Sequence, residues 1–268
     1  MPAFEISFDT KPFEKLDQFA LLARQDYNLG SSDDWFGEFR GGLYGFYARL
    51  SGLANHYKEV HAWLPRPRGP TEIEYHLAGL FFCTDSAVEC FTFALNALGF
   101  STRRSGFRDI TDARALRKIS PRDLIGDQHE ITPHSGYSEL FPMVQEHWRS
   151  NADLIRTIQE LHDVSKHRQT IYTGGRMRLD PPEGFYERLG IPDIPAQRAL
   201  FWPAAEILLK PEPKTPAILR KVPYPLEQVQ LLEDLIARFV SFIDKTGELA
   251  LLDSTTNIPL NECKFRGQ

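Results

Sequence analysis

LAGLFFCTDSAVECFTFALNALGF, residues 77–100, is the most apolar stretch of a 268-residue chain, and its reading decides the fold. By length alone it would cross a bilayer. Asp85 and Glu89 stand in its interior, however, and ionisable groups at that depth are costly in lipid. It therefore reads as a buried helix of a soluble protein. Thr71 is the expected N-cap, with Glu74 as its capping-box partner, and Gly99 is the glycine expected to end the helix. His76, Leu80, Cys83, Ala87, Cys90, Ala94 and Ala97 form a stripe of mostly small residues, suited to a neighbour that packs close. A second stripe, Glu74, Asp85, Glu89, Thr92 and Asn96, is either a solvent face or one wall of a polar groove inside a bundle.

Helical periodicity extends to both sides. FEKLDQFALLARQDY (13–27) and DWFGEFRGGLYGFYARLSGLANHYKEVHAW (34–63) are expected helices, and the glycines of the second would let another helix approach closely. AFEISF is expected to be a short strand. Residues 100–136 read as a long connection, with a short helix near DARALRKI and a loop from PRDLIGDQHEITPHSG. YSELFPMVQEHW and SNADLIRTIQELHDVSKHR are helical, either as one helix or with Asn151 capping the second. RQTIYTGGRMRLD reads as a β-hairpin about Gly174 and Gly175, AAEILLK as a strand, and residues 180–200 and PEPKTPA as proline-rich connections. In 225–245, Leu226, Val229, Leu232, Ile236, Phe239 and Ile243 share one face of a last helix.

The expected fold is mainly α: an antiparallel bundle of long helices with a small β-hairpin or sheet in the C-terminal half. At roughly 150 residues per domain the length permits one large domain or two small ones. The reading here is a single domain over 1–268, with a bundle core of about 13–168 plus 225–246 and a hairpin and proline-rich region at about 168–224. The composition, 42% hydrophobic and 25% charged, is that of a soluble globular protein, and a net charge of −5 argues against a bulk polyanion binder. Three cysteines without a C-x-x-C pair argue against a disulfide scaffold or cysteine zinc site. With no signal-peptide pattern, a cytoplasmic location is expected and no membrane partner.

LHDVSKHRQT, residues 161–170, is the densest run of chemical side chains. On a helix, Arg156, Glu160, Asp163 and His167 fall within roughly 60° of one another. Asp163 lies one turn before His167, the spacing at which a carboxylate orients an imidazole. Asp163, His167, Arg156 and Arg168 are thus candidate catalytic residues: His167 as acid or base, Asp163 orienting it, an arginine on an anion. Lys166, His162, Glu74, Asp85 and Glu89 are candidate substrate-binding residues. The same pattern also describes an ordinary helix end, in which basic residues complement the helix dipole. His162 lies about 140° from His167. No i,i+4 histidine pair occurs, so neither a metal nor any other cofactor is expected. A basic run, Arg103, Arg104, Arg108, Arg114, Arg117, Lys118 and Arg122, is a solvated loop, a set of partners for internal acids, or a contact for a phosphate backbone.

A long-helix bundle whose late helix ends in LHDVSKHR resembles uncharacterised bacterial helical-bundle proteins with an Asp…Lys-His-Arg motif. These are similar to the HEPN superfamily of nucleotide-binding and ribonuclease domains. The resemblance covers residues 35–180; within it Arg156 and His162 meet that superfamily's arginine-to-histidine spacing, with Thr157 after the arginine. It implies a bacterial protein acting on or binding RNA or nucleotides by metal-independent acid–base chemistry, as a ribonuclease, with a site formed across a homodimer. The alternatives from the residues themselves are a non-catalytic helical interaction module and a small-anion binding protein.

Overall fold

The apolar run lies in a helix, Pro70–Thr102, against which the helices Trp35–Trp63 and Ala152–His167 pack. The computed structural model describes residues 6–26, 35–63, 70–102, 104–126, 133–167, 171–173, 224–226 and 229–260. In chain order the elements are α1 (Lys11–Asp26), α2 (Trp35–Trp63), α3 (Pro70–Thr102), a 3-10 turn (Arg104–Gly106), α4 (Ala113–Leu116), α5 (Pro121–Ile125), α6 (Ser135–Leu140), α7 (Pro142–Ser150), α8 (Ala152–His167), β1 (Ile171–Thr173), β2 (Tyr224–Leu226) and α9 (Val229–Asn257). Among the described residues, Glu74–Thr102 is the one segment long and apolar enough to cross a membrane, and most of it is buried against other helices.

α2 and α3 form a close antiparallel pair. A Cβ at Gly42 would sit 2.8 Å from the backbone of Ala94 and Cys90, and one at Gly52 would sit 2.7 Å from Cys83 Sγ. Each glycine costs helix propensity, about 1 kcal/mol relative to alanine. What it permits is contact between the α2 backbone and the small-residue stripe of α3. The core builds outward from this pair. Phe13, Phe46 and Phe91 bring α1, α2 and α3 together with ring centroids 4.8–5.3 Å apart. α9 closes the bundle, with Gly247 beneath the Phe13 ring and Trp148 of α7 donating to Thr246 Oγ1 at 3.0 Å.

α3 does not stop at Gly99. A Cβ there would come 2.2 Å from the Phe107 ring, and the only described glycine with positive φ is Gly126. Gly99 is therefore needed for a close approach and not for a left-handed cap. The 100–136 connection is more helical than its composition suggests, and PRDLI is a helix, not a loop. Pro121 is pre-set for the first helical position, the Ser120 N–H donates to Asp123 Oδ2 at 3.1 Å, and Gly126 ends the turn at φ 79°. Arg108 leaves the basic run: it forks onto Asp123 at 2.6 and 2.5 Å, and Asn96 clasps its backbone N–H and carbonyl. Arg114, Arg117, Lys118 and Arg122 lie on or near the surface.

Pro142 divides the expected YSELFPMVQEHW helix into α6 and α7, because it supplies no backbone donor. The free amides this creates are bound by Asp253 of α9, whose Oδ2 accepts from Met143 and Val144 at 2.9 Å each. Asn151 separates α7 from α8. Its side chain donates to the His147 carbonyl, so it ends α7 and does not cap α8 with its side chain.

The mainly α expectation stands, but the β-hairpin or sheet does not. Ile171–Thr173 pairs in parallel with Tyr224–Leu226, in a register of three residues. A hairpin is antiparallel by construction, so this parallel pair is not the expected hairpin; Gly174, Gly175 and the RMRLD half of that hairpin lie outside the described residues, and no larger sheet exists among the described ones. Leu226 falls in β2, outside the last helix, which starts at Val229 and runs to Asn257, well past the expected end. Residues 6–10 are not a strand, and the remainder of AFEISF and all of AAEILLK lie outside the described residues.

Candidate functional site

The α3–α8 contact carries a buried pair of ionisable side chains, Asp85 and His162. His162 lies on α8 one turn after Ile158 and two turns after Ile155, both buried, so the fold turns it toward α3 along with the apolar stripe. Asp85 sits on the Glu74–Asn96 stripe of α3, whose lower part is largely buried, not solvated. The two residues are 7% and 9% exposed, Asp85 first, and meet at 2.7 Å between His162 Nδ1 and Asp85 Oδ2.

Burial, the largest influence, pushes the Asp85 carboxyl above its ordinary value; the hydrogen bond and charge of His162 and the charge of Lys166 oppose this, and Asp163 adds to it. Once ionised, Asp85 only accepts, so His162 donates from Nδ1. That tautomer leaves Nε2 as the basic nitrogen, and Nε2 has no hydrogen-bond partner among the described residues. Asp85 Oδ1 is also buried and unpartnered among them.

Around the pair lies a chain of contacts that crosses three helices. The His162 ring meets Phe82 edge-on at 5.5 Å. Phe82 is 40% exposed, and the Arg49 guanidinium of α2 lies 4.9 Å from its ring centre. Arg49 Nε donates to Ser86 Oγ at 3.1 Å, which fixes the cation beside the aromatic ring. Glu89 stands exposed one turn beyond Asp85, with its carboxyl raised first by desolvation and then by the Asp85 charge. Cys83 and Cys90 are held above the ordinary thiol range by burial, which disfavours thiolate chemistry. Among the described residues no three histidine, cysteine or carboxylate side chains gather as a metal cluster.

Several candidates from the sequence converge here and others do not. Asp85 and His162 are joined directly, and Asp163 and Lys166 are close enough for their charges to act on Asp85. Asp163, Lys166 and Arg156 are exposed on α8, Glu74 is half-buried, and the His167 side chain and Arg168 lie outside the described residues. Arg49, Phe82 and Ser86 escaped the sequence reading. Arg49 had a signal: it falls on the same face of α2 as Gly42, Gly45 and Gly52, a lone charge on a close-packed stripe. Compared with family models, curated proteins and solved structures, the chain matches none.

Proposed function

We propose that this protein binds RNA or nucleotides and acts on them by metal-independent acid–base chemistry, with His162 as the proton-transferring group and Asp85 as its positioning residue. The observation that carries the reading is the 2.7 Å Asp85–His162 hydrogen bond, mostly buried, with the imidazole Nε2 left without a protein partner among the described residues. Arg49 and Lys166 supply positive charge suited to phosphate, and Phe82 supplies an exposed ring edge suited to a base. In RNA the 2′-hydroxyl is a built-in nucleophile. His162 Nε2 takes its proton, the 2′ oxygen attacks phosphorus, and the P–O5′ bond breaks. The 5′ oxygen takes a proton from water, leaving a 2′,3′-cyclic phosphate and a 5′-hydroxyl end. The motif that resembles HEPN proteins puts its histidine in this part of the chain, and His162 replaces His167 in that role.

The test is cleavage of mixed-sequence RNA by the full chain with EDTA present. We expect cyclic-phosphate products, and a loss of about 100-fold or more in His162→Gln with its melting temperature kept within a few degrees. No cleavage by the wild-type chain, or an unchanged rate in the variant, would falsify the reading. The second reading is a non-catalytic interaction module in which the same buried pair merely ties α3 to α8. It is favoured instead if His162→Gln lowers the melting temperature sharply and RNA is neither cut nor bound.

A further inference from the structure

We propose that Arg114, Arg117, Lys118 and Arg122 form a docking surface for the phosphate backbone of an RNA strand, which rests on the reading of the His162 centre as acting on RNA and extends it to nucleotides beyond the reacting one. All four side chains are exposed. None has an ion pair or a side-chain hydrogen bond among the described residues. Arginines elsewhere are held by acids of the protein itself: Arg40 by Asp17 at 2.8 Å and Arg238 by Asp153 at 2.9 Å. Between Arg108 and Gly126 stand five basic and three acidic residues, a net of +2 in a chain of −5. The three acids are already engaged within the segment. Asp123 takes the Arg108 fork, Asp109 accepts from the Thr111 N–H and hydroxyl, and Asp112 accepts from the Arg114 N–H.

The backbone beneath these cations is pinned to the bundle. Asn96 of α3 bonds both the N–H and the carbonyl of Arg108, whose partner Asp123 is buried. Gln145 of α7 donates to the Leu124 carbonyl at 2.9 Å, and Leu116 and Ile125 pack on the core. Arg117 keeps helical dihedral angles and the Lys118 N–H bonds the Ala115 carbonyl, so Arg114, Arg117 and Lys118 occupy neighbouring positions of one turn. On α5, Pro121, Asp123 and Leu124 are buried and Arg122 is exposed. Cations on a fixed backbone lose less freedom on binding than cations on a loose one. Guanidinium groups match phosphate oxygens in pairs, and each phosphate neutralised releases counterions. Phe100 and Phe107, the aromatics of this stretch, are buried and cannot stack on bases. The contact is therefore with phosphates and carries no base preference. Asn96 lies roughly 16 Å along α3 from Asp85. That is about five nucleotides of a stacked strand at about 3.4 Å each. A dinucleotide at the His162 centre does not reach the patch; a longer strand spans the two.

The test measures RNA binding by fluorescence anisotropy on the full chain carrying His162→Gln, which keeps the RNA intact. The probe is a labelled strand of about 20 nucleotides, long enough to span both places. Adding Arg114→Ala/Arg117→Ala/Lys118→Ala/Arg122→Ala should weaken binding by at least about tenfold at physiological salt and make the slope of log K against log salt shallower by about 3. Polyadenylate and polyuridylate strands should bind alike. With His162 restored, the four substitutions should leave cleavage of a dinucleotide unchanged. Glutamine replaces alanine at the four positions where the alanine variant melts early. A matched variant, Lys11→Ala/Lys15→Ala/Lys58→Ala/Lys245→Ala, lowers the net charge equally and should bind within about twofold of the His162→Gln chain. Unchanged affinity and salt slope in the four-residue variant, an equal loss in the matched variant, or tighter binding of phosphatidylserine vesicles or polyglutamate than of RNA overturns the surface. RNA binding that depends on the four residues, in a chain that cuts no RNA, would end the acid–base reading and support the surface.

Discussion

His162 is joined to a carboxylate that burial keeps above its ordinary value, and the sign of that shift separates a working pair from a structural tie. The raised pKa of Asp85 means that folding disfavours its ionised form. Its stabilising contribution is full below the unfolded value and is lost as pH rises through the folded one. Asp85→Asn removes this dependence while keeping an acceptor for Nδ1. We therefore expect a melting temperature at neutral pH that is unchanged or higher, together with RNA cleavage reduced by at least about tenfold, since the imidazolium loses its counter-charge. A lower melting temperature with full activity would reject the assignment. Asp253 follows the same sign. Burial pushes its carboxyl up to about 6, against two backbone amides that pull it down. Its contribution to the melting temperature of the wild type should fall between about pH 4 and pH 6, and Asp253→Asn should flatten that fall; parallel curves would show that another group controls it. At this scale the sequence singled out the residues of α8, while the His167 side chain lies outside the described residues. Charge density marked 161–170, but the deciding fact was that His162 continues the Ile155–Ile158 stripe into the interior. Which face of α3 was buried, and so whether Asp85 met α8, depended on tertiary packing.

Among the elements, α2 and α3 fix the frame, and their glycines are not equivalent. A Cβ added at Gly41 would meet nothing within 4 Å, whereas one at Gly42 would face the α3 backbone at 2.8 Å. Gly41→Ala should be neutral or raise stability by about 0.5–1 kcal/mol. Gly42→Ala should lower it by roughly 1–3 kcal/mol, because backbone cannot yield as a flexible side chain can. Equal effects in chemical denaturation would contradict the close-packed pairing. The long helices were readable from period and length, and the small-residue stripe of α3 already implied a close neighbour. The strand pairing was not, because Ile171–Thr173 finds its partner at Tyr224–Leu226, far along the chain, and local turn signals carry no information about such a pairing. PRDLI was missed because a five-residue helix shows too little periodicity, although its Ser120, Pro121 and Gly126 boundaries were all present.

Across the whole molecule, one continuous apolar cluster draws on α1, α2, α3, α7, α8 and α9. Such a core should unfold as a unit, with near- and far-ultraviolet dichroism giving coincident transitions; two separated transitions would contradict a single bundle. With a net charge of −5, the proposed nucleotide recognition would rest on local groups, and near the His162 centre these are Arg49 and Lys166. The most direct measurement is therefore a nitrogen magnetic-resonance titration of ¹⁵N-histidine-labelled protein with a short RNA whose 2′-hydroxyls are methylated to prevent cleavage. The account predicts a Nδ1-protonated His162 whose Nε2 resonance moves as the RNA saturates, with the shift lost in Arg49→Ala/Lys166→Ala. A His162 signal of the opposite tautomer, or one unmoved by RNA, would contradict it.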